Sequence, residues 1–482
     1  MRRLLSLGLL LVSLGPALVR AQGLTRADSQ LVGRLLVAED RRDSNDGAFA
    51  AGLAHADPRI RTIAARGLGR IRDARFVARD SLPPVPQAPI WVEPAWRVRY
   101  RQLAALRDDC AALRVATMDS AWAVRLRAAD LARTSCAADD ALVGTFMRWV
   151  DGLPPATPSR TRGGVSWHAA AHGLVALARL RPAEARPRMA ELRTHRQWQV
   201  RRYVAQAAAV LEDTATLRAL VEDGDDNVAE AAIEALRART GHADDGRYIA
   251  ALRRDGAQVI RAAALALAGS PDPDAAPAAR RAFDRFVARR DASTHDTRAA
   301  LLTAAGRPAT EDRAPTERVT LPPAAVALAL GDTIVLRVTM AATAGGGTFD
   351  VRLRGDVAPM MAARLLALAE AGYYDGLTWH RVEHDFVIQG GSPGANEYIG
   401  APTMLRDELG TVSHRRGTVG MSTRGHDTGD AQWFVNLRDN ARLDRDYTVW
   451  GEVIAGIDVV DSVLEGDAIR RIRRLRGAAR RD

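Results

Sequence analysis

The stretch Trp379-His-Arg-Val-Glu-His-Asp-Phe-Val-Ile-Gln-Gly-Gly391 decides the fold of the C-terminal third of this chain. It reads as strand, turn and strand ending at a glycine pair. Upstream, Ala358 to Ala371 is predicted as a helix opened by Pro359, whose missing N–H costs nothing in a first turn. Before it, Thr333–Met340 and Thr348–Leu353 are β runs joined by a turn at Gly345–Gly347. Downstream, Gly417-Thr-Val-Gly-Met-Ser-Thr-Arg-Gly425 leads to Ala431-Gln-Trp-Phe-Val435, then to Leu443-Asp444 and Tyr447-Thr-Val-Trp-Gly451. Much β content with a few helices predicts a closed barrel over residues 326–472.

The chain has 482 residues, more than one core usually holds, so a second domain is expected. From about Leu31 to about Ala305 it is rich in Ala, Leu and Arg and reads as short paired amphipathic helices. One segment recurs: Asp57-Pro-Arg-Ile-Arg61, Trp122-Ala-Val-Arg125, Trp198-Gln-Val-Arg201, Asp226-Asn-Val-Ala229 and Ala257-Gln-Val-Ile-Arg261. Val200, Val228 and Val259 recur at about 30 residues, the period of a helical solenoid. Val200, Val204, Ala207, Ala208 and Leu211 share a face too small to be a core alone, so it must stack on its neighbours. An Asp or Asn before each of these helices is expected to cap free N–H groups. An irregular helical bundle is the alternative. The prolines from Pro83 to Pro94 and the stretch Gly152–Gly164 interrupt the array. Residues 306–325 read as a linker, and residues 22–305 as the helical domain.

Arg2 and Arg3, the apolar run Leu4–Leu14, Pro16 and the small-residue end Val19-Arg-Ala21 predict a secretory signal at 1–21, with an uncleaved anchor as alternative. The run is too short to span a bilayer comfortably, and no integral membrane segment is expected once it is removed. The exported product would be periplasmic or secreted. Cys110 and Cys136 could pair there or stay as buried thiols. The formal charge is +10, carried by arginine without lysine, and seven Arg with one Asp lie between Arg470 and Asp482. The body is nearly neutral, and the Arg-rich tail (473–482) has no interleaved aromatics, so nucleic acid is not the expected partner.

The islands Tyr374–Val382, Asp385–Gly391, Gly417–Met421, Gln432–Val435 and Leu443–Gly451 strongly resemble the cyclophilin-type peptidyl-prolyl cis-trans isomerases, in that family's order and approximate spacing. The resemblance implies an eight-stranded antiparallel barrel closed by two helices, with Ala358–Ala371 as the first. The upstream array resembles HEAT repeats, particularly the short bacterial variety related to phycobilisome-lyase repeats. The implied activity is rotation about X–Pro bonds, without nucleophile, metal or cofactor. The resemblance places Arg381 against the pyramidalising proline nitrogen, a role that suits an always-charged donor fork. Phe386, Phe434 and Leu443 would hold the proline ring, with Val387 where the family usually has Met. Gln389 would support the arginine and bond the substrate backbone. Ser422 and Thr423, usually Ala-Asn in the family, would pair with the substrate main chain. Gln432 and Tyr447 would form the outer rim, and His380 would flank the substrate. Arg442 stands where many eukaryotic members carry a Trp that supports cyclosporin binding, so weak cyclosporin affinity is expected.

Other constellations are weaker. His380, His384, His414 and His426 lack tight metal-ligand spacing. Ser413, His414 and Asp444 lack a nucleophile elbow. The leading expectation is an exported isomerase acting on proline-containing polypeptide clients, with the repeats offering a surface to a client or a protein partner. The alternative is a non-catalytic proline-peptide binding scaffold.

Overall fold

The computed structural model describes residues 24–72, 89–153, 167–312 and 320–475. The expected leader, most of the proline-rich break, much of the Gly152–Gly164 break, part of the linker and residues 476–482 of the tail lie outside the described residues.

Each recurring motif opens a helix. The helices are α1 (Arg26–Arg41), α2 (Gly47–Leu53), α3 (Pro58–Arg72), α4 (Ala95–Gln102), α5 (Cys110–Ala116) and α6 (Trp122–Leu131). There follow α7 (Asp140–Asp151), α8 (Trp167–Leu180), α9 (Pro182–Leu192), α10 (Trp198–Val210), α11 (Thr214–Leu220) and α12 (Asp226–Thr240). Next come α13 (Asp245–Ala251), α14 (Ala257–Ala266), α15 (Ala275–Ala288) and α16 (His295–Ala304). The aligned residues Ile60, Val124, Val200, Val228 and Val259 are all buried. Caps follow the sequence in part: Asp57 accepts from Arg59 N at 2.8 Å and Asp225 from Asn227 N at 2.9 Å, whereas α10 has no side-chain cap.

The even-numbered helices α6 to α16 pack in succession as one layer, and each odd-numbered helix from α5 to α15 packs against an even-numbered one. Alanines at the contacts, such as Ala207, Ala208, Ala232 and Ala263, let the axes approach closely. Cys110 and Cys136 are joined in a disulfide that ties the start of α5 to the turn before α7.

The C-terminal part holds α17 (Ala325–Ala329), β1 (Val335–Met340), β2 (Thr348–Leu353), α18 (Pro359–Glu370), β3 (Trp379–Val382) and β4 (Val387–Gly390). It continues with β5 (Thr418–Met421), β6 (Trp433–Asn436), β7 (Val449–Ala455), α19 (Ile457–Asp461) and β8 (Ile469–Arg474). The strands form one antiparallel sheet of eight, ordered β3-β4-β6-β5-β7-β2-β1-β8. Strand β8 takes in Arg473 and Arg474, where the sequence predicted the start of a tail; Ile469 and Ile472 anchor it in the core.

The expected closed barrel is not formed. The sheet is an open half-barrel that turns 248° round its axis and leaves its edges 8 Å apart. The two edges meet at the Thr378–Ala468 bridge, just before β3 and just before β8. Beyond it Trp379 N donates to Asp467 O at 3.0 Å and Ile469 N to Leu377 O at 2.8 Å. Each edge strand therefore runs on opposite a loop instead of opposite the other strand, and no ladder can grow between them.

Two apolar cores result, and they do not divide where the sequence changes character. Helices α4 to α16 share one core. Helices α1 to α3 instead contribute Val32, Leu35, Phe49 and Ile63 to the core of the half-barrel, beside Leu328 of α17. Arginines stitch the parts together. Buried Arg70 donates to Leu409 O (2.7 Å), Val357 O (2.9 Å) and Glu39 Oε1 (2.8 Å). Arg97, fully buried, donates to Leu437 O at 2.5 Å and pairs with Asp461 at 3.0 Å. Such crossings suit a guanidinium, whose several donors can satisfy carbonyls and a carboxylate together.

Candidate active site

A β-bulge aims the key arginine. In the β3–β4 pair Trp379 opposes Gly390, yet Arg381 opposes Gln389, so His380 is the extra residue. Trp379 is buried in the core, while Arg381 stands beside Gln389 on the wall of a cavity of about 240 Å³. Strand β4 pairs Gln389 with Phe434 of β6, and β6 pairs Phe434 with Gly420 of β5. Gly420 is required here: a Cβ would lie 2.8 and 2.9 Å from Phe434 Cε2 and Cε1 and closer still to Cζ.

Val387, Phe434 and Leu443 form a small apolar cluster separate from the main core, with Phe386 and Tyr447 packed on it. The backbone of Phe386 is pinned, because its carbonyl accepts from Leu437 N (3.0 Å) and Asn440 Nδ2 (3.1 Å). Arg381 Nε donates to Glu383 Oε1 at 2.7 Å. Its Nη1 donates to Glu397 Oε1 at 2.9 Å and to Gln389 Oε1 at 3.3 Å. Burial works against the charge of this guanidinium, but Glu397 and Glu383 outweigh burial and hold its pKa above the usual arginine value.

The cavity brings together Arg381, Phe386, Val387, Gln389, Ser422, Thr423, Phe434, Leu443 and Tyr447. It does not include His380 or Gln432. His380 is buried in the bulge, and burial pushes its pKa down to about 4. Gln432 is buried behind the wall rather than on the rim. Its Nε2 donates to Glu397 O and Ile399 O, both at 3.0 Å, and its Oε1 accepts from Gln389 at 3.3 Å.

Three further residues shape the site. Glu397 and Arg424 line the cavity. Arg424 donates to Glu397 O (2.6 Å), Ser293 O (2.8 Å) and Asp296 Oδ2 (2.5 Å), fastening the site to the start of α16. His414 lies behind Phe434, stacked at 5.7 Å between ring centroids. Asn436 Nδ2 donates to its Nδ1 (3.1 Å), so Nε2 carries the proton and donates to Tyr447 O (3.1 Å). Burial lowers the pKa of this ring. The imidazole therefore supports the pocket and faces neither Ser413 nor Asp444 as a triad would require. No sequence motif marks Arg424, whose partner Asp296 is 128 residues away.

Among the described residues no group of three His, Cys, Asp or Glu side chains could hold a metal ion. No helix among them is long and apolar enough to cross a membrane.

Residues 337–475 match the family model described as cyclophilin type peptidyl-prolyl cis-trans isomerase/CLD. A peptidyl-prolyl cis-trans isomerase of Helicobacter pylori is 34% identical over 119 residues, covering 24% of this chain and 73% of that protein. Peptidyl-prolyl cis-trans isomerase B of Bacillus subtilis is 32% identical over 130 residues, covering 27% of this chain and 91% of that protein. A solved cyclophilin type isomerase of Cryptosporidium parvum aligns with 30% of this chain and 99% of its own, at 21% identity and a TM-score of 0.29. Through its C-terminal half-barrel, preceded by a mostly helical region, this chain belongs to the cyclophilin-type peptidyl-prolyl cis-trans isomerases.

Proposed function

We propose that the chain accelerates X–Pro isomerisation in exported polypeptides, with Arg381 stabilising the twisted amide. The supporting observation is that Arg381 and Gln389 line the same cavity as the apolar side chains of Phe386, Val387, Phe434 and Leu443. The uncatalysed barrier, about 18–20 kcal/mol, comes from amide resonance. A site lowers it by binding the twisted form better than either planar isomer. The apolar wall takes the prolyl ring out of water. As the C–N bond rotates, the proline nitrogen regains a lone pair that the Arg381 fork can meet. Gln389, Glu397 and Glu383 hold that fork in place beforehand, so little reorganisation is left for the reaction. Ser422 and Thr423 offer the strand edge along which the substrate main chain would lie.

Export is supported by the signal-like N-terminal sequence and by the Cys110–Cys136 disulfide, a bond favoured in oxidising compartments. A HEAT-like reading of the helical array is supported by its paired helices and by helices opening at each recurring motif. Its exposed face would then offer a surface to clients or a protein partner.

Exchange spectroscopy on an X–Pro peptide with the intact chain tests the reading. Arg381→Ala is expected to lower kcat/KM by about 10²–10³-fold, the usual cost of losing a preorganised donor. An undiminished rate would remove Arg381 from the mechanism, and binding without turnover would favour the scaffold alternative. Mature protein beginning near Gln22 in the envelope or medium would support export.

A further inference from the structure

Phe386 has a second side. Beyond the proline-type cavity it walls a cleft of about 780 Å³ between the half-barrel and the helical array. The array supplies Tyr100, Arg101 and Arg127 to this cleft, and the half-barrel supplies Arg438 and Arg442. Nothing in the isomerase chemistry uses it.

The charges in the cleft are not all matched. Arg101 and Arg438 share Asp385, at 2.9 and 3.1 Å. Glu383 is held by Arg381. Asp439 accepts the backbone N–H of Arg416 at 2.9 Å. Arg127 and Arg442 have no ion pair among the described residues. Each lies over an aromatic wall instead, Arg127 at 5.1 Å from the Tyr100 ring centroid and Arg442 at 4.2 Å from that of Phe386. Stacking fixes the plane of a guanidinium while leaving its N–H edge open, the geometry that receives a carboxylate.

We infer that this cleft is a subsite for an acidic side chain of the polypeptide substrate, with Arg127 and Arg442 as its receiving cations. The inference rests on the isomerase reading of the adjoining cavity and names a substrate class for it: proline segments with Asp or Glu nearby. One ring separates the two cavities. At about 3.3 Å per extended residue, the acidic residue falls two or three positions from the proline. Half of the subsite belongs to the helical array, so an isolated half-barrel would lack it.

The test uses the intact chain and fluorescent single-proline peptides with Glu or Gln two or three positions to either side. Anisotropy gives Kd, and exchange spectroscopy gives turnover on the same peptides. On one side of the proline the Glu peptide is expected to bind about threefold to fivefold tighter than its Gln partner, the scale of a half-exposed ion pair. The ratio should fall towards one in Arg127→Gln and in Arg442→Gln. Arg127→Gln is the sharper variant, since Arg127 lies outside the half-barrel and stacks on Tyr100, whereas Arg442 stacks on Phe386. Equal affinity for Glu and Gln peptides in the parent chain overturns the subsite, as does a ratio that survives in both variants. Turnover without the preference removes the subsite alone; the preference without turnover keeps the subsite and removes the isomerase reading.

Discussion

At Gly420 the absence of a methyl group shapes the pocket. The Phe434 ring lies where a Cβ would be, so the aromatic wall depends on a position that carries no side chain. Gly420→Ala should cost about 1–3 kcal/mol through overpacking and tilt Phe434 from its place. A peptide exchange assay is expected to show kcat/KM lower by at least about tenfold; a full rate would mean that the strands can shift apart freely. The motif around Gly420 was legible in the sequence, but its reason was not, because it lies in the neighbouring strand. His380 also carries a pH consequence. Burial holds its pKa near 4 in the folded chain, against about 6.5 when unfolded. As pH falls through 6.5 the unfolded chain takes up a proton that the folded chain refuses until about pH 4. This residue therefore withdraws stability with acidification across that window, by about 3 kcal/mol at most. Urea denaturation of the parent and His380→Gln at pH 7 and pH 5 should show a smaller acid loss in the variant.

Among the elements, the segment from Gly391 to Pro402 links catalysis to the helices. It carries Glu397 to Arg381, and part of its support comes from the array. Asn227 of α12 donates to Gly394 O at 3.1 Å, Arg261 of α14 lies 3.8 Å from the Tyr398 ring centroid, and Ala292 N donates to Pro402 O at 3.0 Å. Arg261→Ala removes a cation–π contact worth about 0.5–2 kcal/mol. Hydrogen exchange at residues 394–399 should quicken, and kcat/KM should fall a few-fold with global stability nearly kept. Unchanged exchange there would show that the segment holds itself. The strands on either side of this segment are legible in the sequence, but the role of Glu397 is not, because nothing local marks a carboxylate that acts across the sheet. The bulge at His380 was equally hidden: the run from Trp379 reads as a plain strand, and only pairing with β4 reveals the extra residue.

For the whole molecule, the arginine content has a structural use that composition does not show. Arg70 and Arg97 are buried crossings between helices and half-barrel, whereas Arg181 pairs at the surface with Asp140, which is 89% exposed. Arg70→Met leaves Glu39 buried without its nearest cation and should cost about 3–5 kcal/mol in urea denaturation. Arg181→Ala should cost under about 1 kcal/mol. Similar losses in both would refute the distinction. The apolar cores also divide elsewhere than at the change of sequence character. Helix α3 opens with the repeat motif, yet α1 to α3 place their apolar faces on the half-barrel core.

The sequence by itself determined β1 to β4, the helix opened by Pro359 and the helix-opening motifs, which follow from periodicity and short motifs carried within a few residues. That Arg381, Phe386, Gln389, Phe434 and Leu443 share one site was implied by the family resemblance of the ordered islands, and the cavity brings them together. Tertiary structure alone decided that the sheet stays open, that α1 to α3 join the half-barrel, that His380 and Gln432 leave the cavity wall, and that Glu397 and Arg424 enter it. Each of these depends on what faces a residue from a distant part of the chain. The edge strands meet loops instead of each other, and carboxylates and arginines more than a hundred residues apart share one site. Local pattern fixes which face of an element is apolar, but the choice of partner for that face is made only when the whole chain packs.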